Sequence, residues 1–180
     1  MKKLIFIVLI SLLISACTAT KEQGTTRAER KQKAKATELA AVKNAVESRR
    51  YIIRMNRIYM TGGGHIDLVP RNNYIVVDGE AASISLAYAG RNFGRPISGI
   101  NFNGQTTKYN LVSNAAKGVY NIDMEVSFKN TRFTFYVSIG SGGWCNVSVN
   151  NSYLEPISYS GRLVPITKPS AVNPGNTDRL

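Results

Sequence analysis

Few side chains in this chain of 180 residues are placed to do chemistry. The only histidine, His65, stands two residues before Asp67, and on a strand the two would share a face. A His–carboxylate pair can act as an acid–base unit, but no nucleophile is spaced to go with it, and His65 reads more simply as a surface residue. Asp123 and Glu125 also share a strand face, about 6–7 Å apart. Paired carboxylates can cleave glycosidic bonds, yet alternation with apolar neighbours makes these two the wet side of an amphipathic strand. Thr61-Gly62-Gly63-Gly64-His65 lacks the Lys-Ser/Thr and the following helix that a phosphate-cradling loop needs, and it reads as a hairpin connection. Gly140-Ser141-Gly142-Gly143 lacks the Gly-x-Ser-x-Gly spacing of a nucleophile elbow and reads as another turn. No catalytic constellation emerges, so the chain reads as a non-enzyme. Two cysteines and one histidine exclude most His/Cys metal sites, and nothing in the sequence implies a cofactor.

A more suggestive segment runs from Tyr88 to Phe102. It combines Gly90, Gly94, Pro96 and Gly99 with Tyr88, Arg91, Phe93 and Arg95. Glycine and proline make it a long irregular loop, and aromatics with arginines on such a loop suit sugars, carboxylates or phosphate. Tyr88, Arg91, Phe93 and Arg95 are therefore the candidate binding residues. The plainer alternative is a loop that covers a barrel mouth and binds nothing.

The N-terminus sets the expected compartment. Met1-Lys2-Lys3 is a basic head, and Leu4 to Ile14 is apolar except for Ser11. Eleven residues rise only about 16 Å as a helix, too little to cross a hydrocarbon core of about 30 Å. A basic head, an apolar run and small residues before a processing point form a secretory signal, residues 1–16. Ile14-Ser15-Ala16-Cys17 resembles a bacterial lipobox. That resemblance implies cleavage before Cys17 and acylation of its sulfur and new amine, with fatty acids such as palmitate. Several acyl chains hold a protein durably on a bilayer, at about 0.8 kcal/mol per buried CH₂. Thr18 is not the Asp that would resemble an inner-membrane retention signal, and residues 18–23 carry no acidic run. The expected location is the outer membrane, lipid-anchored and periplasm-facing. Lipidation uses up Cys17, leaving Cys145 as the lone thiol of the mature chain. In an oxidising compartment it should be buried.

The formal net charge of +12 would suit nucleic acid, but its distribution argues otherwise. Residues 17–57 hold eleven Lys and Arg against four Asp and Glu, while residues 58–180 hold ten against seven. The excess lies beside the anchor, where it either spaces the domain off the membrane or meets anionic lipid at about 1 kcal/mol per near-surface cation. Nucleic acid is not an expected partner.

The elements that must carry these residues follow from periodicity. Residues 17–26 are small and polar, a flexible tether. Residues 27–48 contain no Gly or Pro and are rich in helix formers, with a narrow apolar stripe of Leu39, Val42 and Val46. Little apolar precedes Ala34, so the start of the helix is expected to fray. From Arg50 the period changes to two. The clearest stretch places Tyr120, Ile122, Met124, Val126 and Phe128 on one face. Phe133, Phe135, Val137 and Ile139 continue it, then Cys145, Val147 and Val149. Trp144 takes the opposite parity to Cys145, either covered by the helix or marking a contact patch. Eight or nine strands are expected among 50–59, 65–69, 73–78, 82–88, 99–103, 107–112, 119–128, 132–139, 144–150 and 157–163, the last broken by Gly161, the shortest of these being the weakest. Short turns between them imply antiparallel hairpins. Such a meander must close or be covered to protect its edges.

The expected fold is mainly β with one N-terminal helix (α+β), an antiparallel meander curled into a barrel or half-barrel sheet and capped by the helix; a two-sheet sandwich is the alternative. Residues 27–164 form one domain, and the proline-bearing residues 165–180 a disordered tail.

Four stretches carry a family resemblance. They are the junction Ala45 to Tyr51, the segment Leu86-Ala87-Tyr88-Ala89-Gly90-Arg91, the strand Ile122 to Phe128, and Ile157-Ser158-Tyr159-Ser160-Gly161. Together, over roughly residues 1–165, the chain resembles an uncharacterised, domain-of-unknown-function lipoprotein family of Bacteroidota-type bacteria. Where that family usually reads Leu-Pro-Tyr-Phe-Gly-Arg, this chain has Ala87 and Ala89, so a pocket shaped there would differ. The resemblance implies an envelope lipoprotein with a β-rich domain and supplies no catalytic residues. The expected function is a non-catalytic binding or structural module that meets the membrane through its acyl chains and meets an envelope protein, a glycan or a small ligand through its domain. The alternatives are a carrier of a small apolar ligand in a hollow barrel interior and, third, a hydrolase-type enzyme using His65.

Overall fold

A computed structural model describes residues 26–91, 99–114 and 117–167. One helix, α1 (Arg27–Glu47), precedes nine strands: β1 (Arg50–Tyr59), β2 (His65–Asp67), β3 (Tyr74–Asp78), β4 (Ala81–Ala87), β5 (Gly99–Asn114), β6 (Val119–Phe128), β7 (Thr131–Ile139), β8 (Trp144–Asn151) and β9 (Leu154–Pro165). The chain divides into two compact units, residues 1–34 and 35–180.

In the first unit, the described residues are the start of α1. Thr26 and Glu29 form a capping box: the Thr26 N–H donates to Glu29 Oε2 at 2.8 Å, and the Glu29 N–H to Thr26 Oγ1 at 3.3 Å. Two otherwise orphaned donors are thereby satisfied. The expected fraying is thus opposed by a local device that apolar periodicity does not reveal.

In the second unit, all strand pairings are antiparallel, and β1, β3, β4, β5, β6, β7, β8 and β9 pair in order around a ring that closes between β9 and β1. The small strand β2 is added beside β3 along one edge of β1. The closed barrel leaves the sandwich alternative aside. Its inward positions are the alternation expected from sequence. Tyr51, Ile53 and Met55 of β1, Tyr120 to Val126 at every second residue of β6, and Phe135, Val137 and Ile139 of β7 are all buried.

Several expectations need correction. The strands expected at 99–103 and 107–112 are one strand, β5, with a bulge between Thr106 and Lys108; the extra residue breaks the alternation and hid the continuity. The final strand is not a short one broken at Gly161. It runs from Leu154 to Pro165, and Gly161 sits inside the ladder, opposite both Met55 and Cys145. The absent side chain permits close backbone approach rather than ending the strand. Residues 164 and 165 pair with Ile52 and Tyr51, and the Ile166 N–H donates to the Arg50 carbonyl, so residues 165 and 166, expected in the tail, belong to the barrel. The rest of that tail, residues 168–180, lies outside the described residues, as do the signal and most of the tether.

The second half of α1 covers one barrel mouth. Val42, Ala45 and Val46 join the core, and the Tyr109 hydroxyl donates to the Val46 carbonyl at 2.9 Å. Arg49, with φ 54°, adopts the left-handed conformation that ends many helices and turns the chain into β1. Its guanidinium lies 4.6 Å from the Tyr109 ring centroid.

Candidate functional site

The segment Tyr88–Arg91 leaves β4 at the mouth opposite α1 and is tied to the start of β9. The Tyr88 hydroxyl lies 2.5 Å from the Arg91 carbonyl oxygen and 3.1 Å from that of Glu155. Arg91 and Glu155 also bond to each other directly: the Arg91 N–H donates to the carboxylate Oε2 of Glu155 at 2.9 Å, and the Glu155 N–H to the Arg91 carbonyl at 2.9 Å. These donors, Arg91 first and then the Thr61 hydroxyl, hold the Glu155 carboxyl below its usual value. Burial pushes the Tyr88 phenol up. Below it the Tyr159 hydroxyl donates to the Ala87 carbonyl at 2.7 Å, and burial raises its phenol too. Of the four candidate binding residues, Tyr88 is thus a buried anchor of the segment. The Arg91 side chain is exposed. Phe93 and Arg95 lie outside the described residues, as do Ile14, Ser15, Ala16 and Cys17. Glu155 was not singled out from sequence; its place two residues before an inward Ile157, beside Pro156, gives no pattern to find it by.

The acid–base candidates are held apart by ordinary surface pairing. His65 and Asp67 both lie exposed on β2. Asp67 accepts from Arg57 Nε at 2.8 Å, and the His65 ring stands 6.3 Å from that of Tyr59. Asp123 accepts from Lys108 at 3.1 Å, and Glu125 lies between Lys108 at 3.8 Å and Arg132 at 3.4 Å. These are ion pairs of a wet sheet face. The Gly-rich segment at 61–64 is the β1–β2 turn, with Gly63 and Gly64 at positive φ, and 140–143 is the β7–β8 turn.

Cys145 is buried and free, as its strand parity implied. Burial pushes its thiol up to about 12, far from the reactive range. Burial, followed by the neighbouring Tyr109 phenol, also raises Tyr51 well above its ordinary value. Large side chains, among them Tyr51, Tyr159, Phe135, Met55 and Met124, occupy the barrel interior with no exposure to solvent. Eight strands enclose a space that side chains can fill. Among the described residues no group of three or more His, Cys, Asp or Glu is placed to hold a metal ion.

Trp144 is not covered by the helix. It is 56% exposed, and the Arg162 guanidinium lies 5.5 Å from its ring centroid. Arg162 in turn pairs with Glu38 of α1.

Comparison with known proteins places this architecture. The model of the DUF4251 family, a domain of unknown function, matches residues 33–163. A crystal structure of a DUF4251 family protein from Bacteroides eggerthii superposes with a TM-score of 0.63 at 15% identity, covering 74% of this chain and 91% of that one. At that identity the likeness speaks for the fold. No curated protein matches the chain.

Proposed function

The chain belongs to the DUF4251 family, and from that premise we propose that it is a lipid-anchored protein of the bacterial envelope, whose barrel is a non-catalytic binding module. The anchor is Cys17, acylated after removal of residues 1–16. The basic segment that follows lies close to the outer-membrane surface, on its periplasmic side.

One observation carries the non-catalytic part. The three carboxylates singled out from sequence as acid or base candidates are each engaged by a surface arginine or lysine: Asp67 by Arg57, Asp123 by Lys108, and Glu125 by Arg132. A general base needs its lone pair aimed at a substrate proton, and one oxygen of each of these faces a neighbouring cation. Support for the anchor comes from the spacing of Lys2, Lys3, the apolar run and Ile14-Ser15-Ala16-Cys17.

The test is metabolic labelling of the full chain in a bacterium with a lipoprotein pathway. The wild-type chain should incorporate labelled palmitate and sediment with membranes. Cys17→Ala should lose both properties. Label and membrane association retained in Cys17→Ala would refute the anchor.

A further inference from the structure

Three exposed aromatic side chains stand on the outside of neighbouring strands: Tyr136 on β7, Trp144 on β8 and Tyr59 on β1, the first and last 50% and 40% exposed. Register links them. Tyr136 pairs with Ser148, Ser148 with Ser158, and Ser158 with Tyr59. One row therefore crosses four adjacent strands from ring to ring, about 14 Å at the usual strand spacing. A second row runs Ser138, Asn146, Ser160 and ends at Arg57 on β1, and Trp144 begins a third that continues through Arg162 to Arg54. The Tyr59 hydroxyl lies 3.3 Å from Ser160 Oγ, so its ring leans back over the sheet.

Between the rings this strip offers hydroxyl and carboxamide groups and no ionisable side chain. At its margin, Arg162, Arg57 and Lys108 are each held by a carboxylate, and Arg54 stands beyond Arg162. A depression of about 330 Å³ is bordered by Ser138, Trp144, Asn146 and Ser160, within the range of small-ligand sites, about 300–1,000 Å³. A second, of about 190 Å³, adjoins it through Ser138 and is bordered by Tyr136, Val112 and Asp123. Asp123 Oδ1 is buried there without a donor among the described residues, a deficit of the kind that a bound hydroxyl or water repairs.

This mixture selects the ligand by its chemistry. A charged partner would meet a strip whose centre is neutral. A protein partner would have to match Ser148, Ser158, Ser160 and Asn146 singly as water leaves, each unmatched group costing free energy. A pyranose has an apolar C–H face that stacks on an aromatic ring and a rim of hydroxyls that both donate to and accept from Ser and Asn. We propose that the outer face of β7, β8, β9 and β1 binds an uncharged oligosaccharide of pyranose units, with Trp144 and Tyr136 as stacking platforms and Ser138, Asn146 and Ser160 as hydrogen-bonding partners. The inference rests on the binding-module reading and names its ligand class.

Trp144 is the only tryptophan in the chain, so its fluorescence reports on this face without a label. The full chain, in a detergent whose headgroup is not a sugar, is titrated with cellohexaose, chitohexaose, mannohexaose and xylohexaose. At least one should change Trp144 emission saturably. Tyr136→Ala should weaken that sugar about tenfold, and Trp144→Ala, followed by calorimetry, should do the same. Both side chains are exposed, so both variants should melt as the wild type does. No saturable binding of any of the four sugars overturns the proposal, as does binding that both variants leave intact. Capture of an envelope protein by this face, lost in both variants while no sugar binds, overturns the glycan and leaves the binding module standing. The fate of the Cys17 label bears on the anchor alone.

Discussion

Gly161 on β9 lies so close to the backbone carbonyl of Arg54 on β1 that a side chain has no place there. This is the seam at which the last strand closes on the first. Gly161→Ala forces the two backbones apart and should cost about 1–3 kcal/mol, the usual range for overpacking. Gly62, in the β1–β2 turn, has nothing within 4 Å of an added Cβ, and Gly62→Ala should stay within about 0.5 kcal/mol. Urea midpoints of the two variants check the contrast; equal midpoints would mean that the seam yields freely.

The Cys145 thiol makes stability fall in alkali. Unfolded, it ionises near 9; folded, burial keeps it protonated up to about 12. Below pH 9 both states hold the proton and the full stability is present. Between 9 and 12 only the folded state retains it, so stability declines by about 1.4 kcal/mol per pH unit from this group. Cys145→Ala should show a shallower decline over pH 9–11, by one proton. Tyr51 and Tyr159, also raised by burial, keep their share in the variant. Identical slopes in the two proteins would contradict the burial of the thiol, as would rapid maleimide labelling of the native chain.

Tyr88→Phe removes the hydroxyl that reaches the Arg91 and Glu155 carbonyls. The expected cost is about 0.5–1.5 kcal/mol. Its local signature is faster amide exchange at Arg91 and Glu155, whose N–H groups depend on the same junction. Unchanged exchange at both would show that the two Arg91–Glu155 bonds hold the junction unaided.

The mouth covered by α1 can be tested by two substitutions one turn apart. Val46 has no exposure, and Val46→Ala should cost about 1–3 kcal/mol through lost burial and the space left behind. Lys43 makes only an exposed pair with Glu47 at 3.9 Å, and Lys43→Ala should cost about 0.5 kcal/mol or less. Thermal melts that rank the two the other way would refute the packing of this helix face.

Period-two alternation made the inward face legible: Tyr120 to Phe128 and Phe133 to Ile139 were readable because no residue interrupts the count. Closure was half-legible, since unprotected edges demand some remedy but alternation cannot say that β9 finds β1. Where the count is interrupted the reading failed, as at the bulge after Thr106, which split β5, and at Gly161, which looked like a break. The candidate loop was read by composition, and composition does not reveal that Tyr88 points inward. The outer face escaped notice for the opposite reason. Ser138, Asn146, Ser158 and Ser160 look like filler along each strand, and only register gathers them between Tyr136, Trp144 and Tyr59.

The β9–β1 seam also orders events in time. Every other pairing in the ring joins strands consecutive in the chain or separated only by β2, but Tyr51 must wait for Pro165. A chain that emerges N-terminus first therefore offers an open edge on β1 until its final strand arrives. Contacts of such long sequence separation slow folding, and an open edge invites strangers to pair. A chaperone that shields that edge would matter most in that interval, because β2 pairs on the opposite edge of β1 and leaves it open.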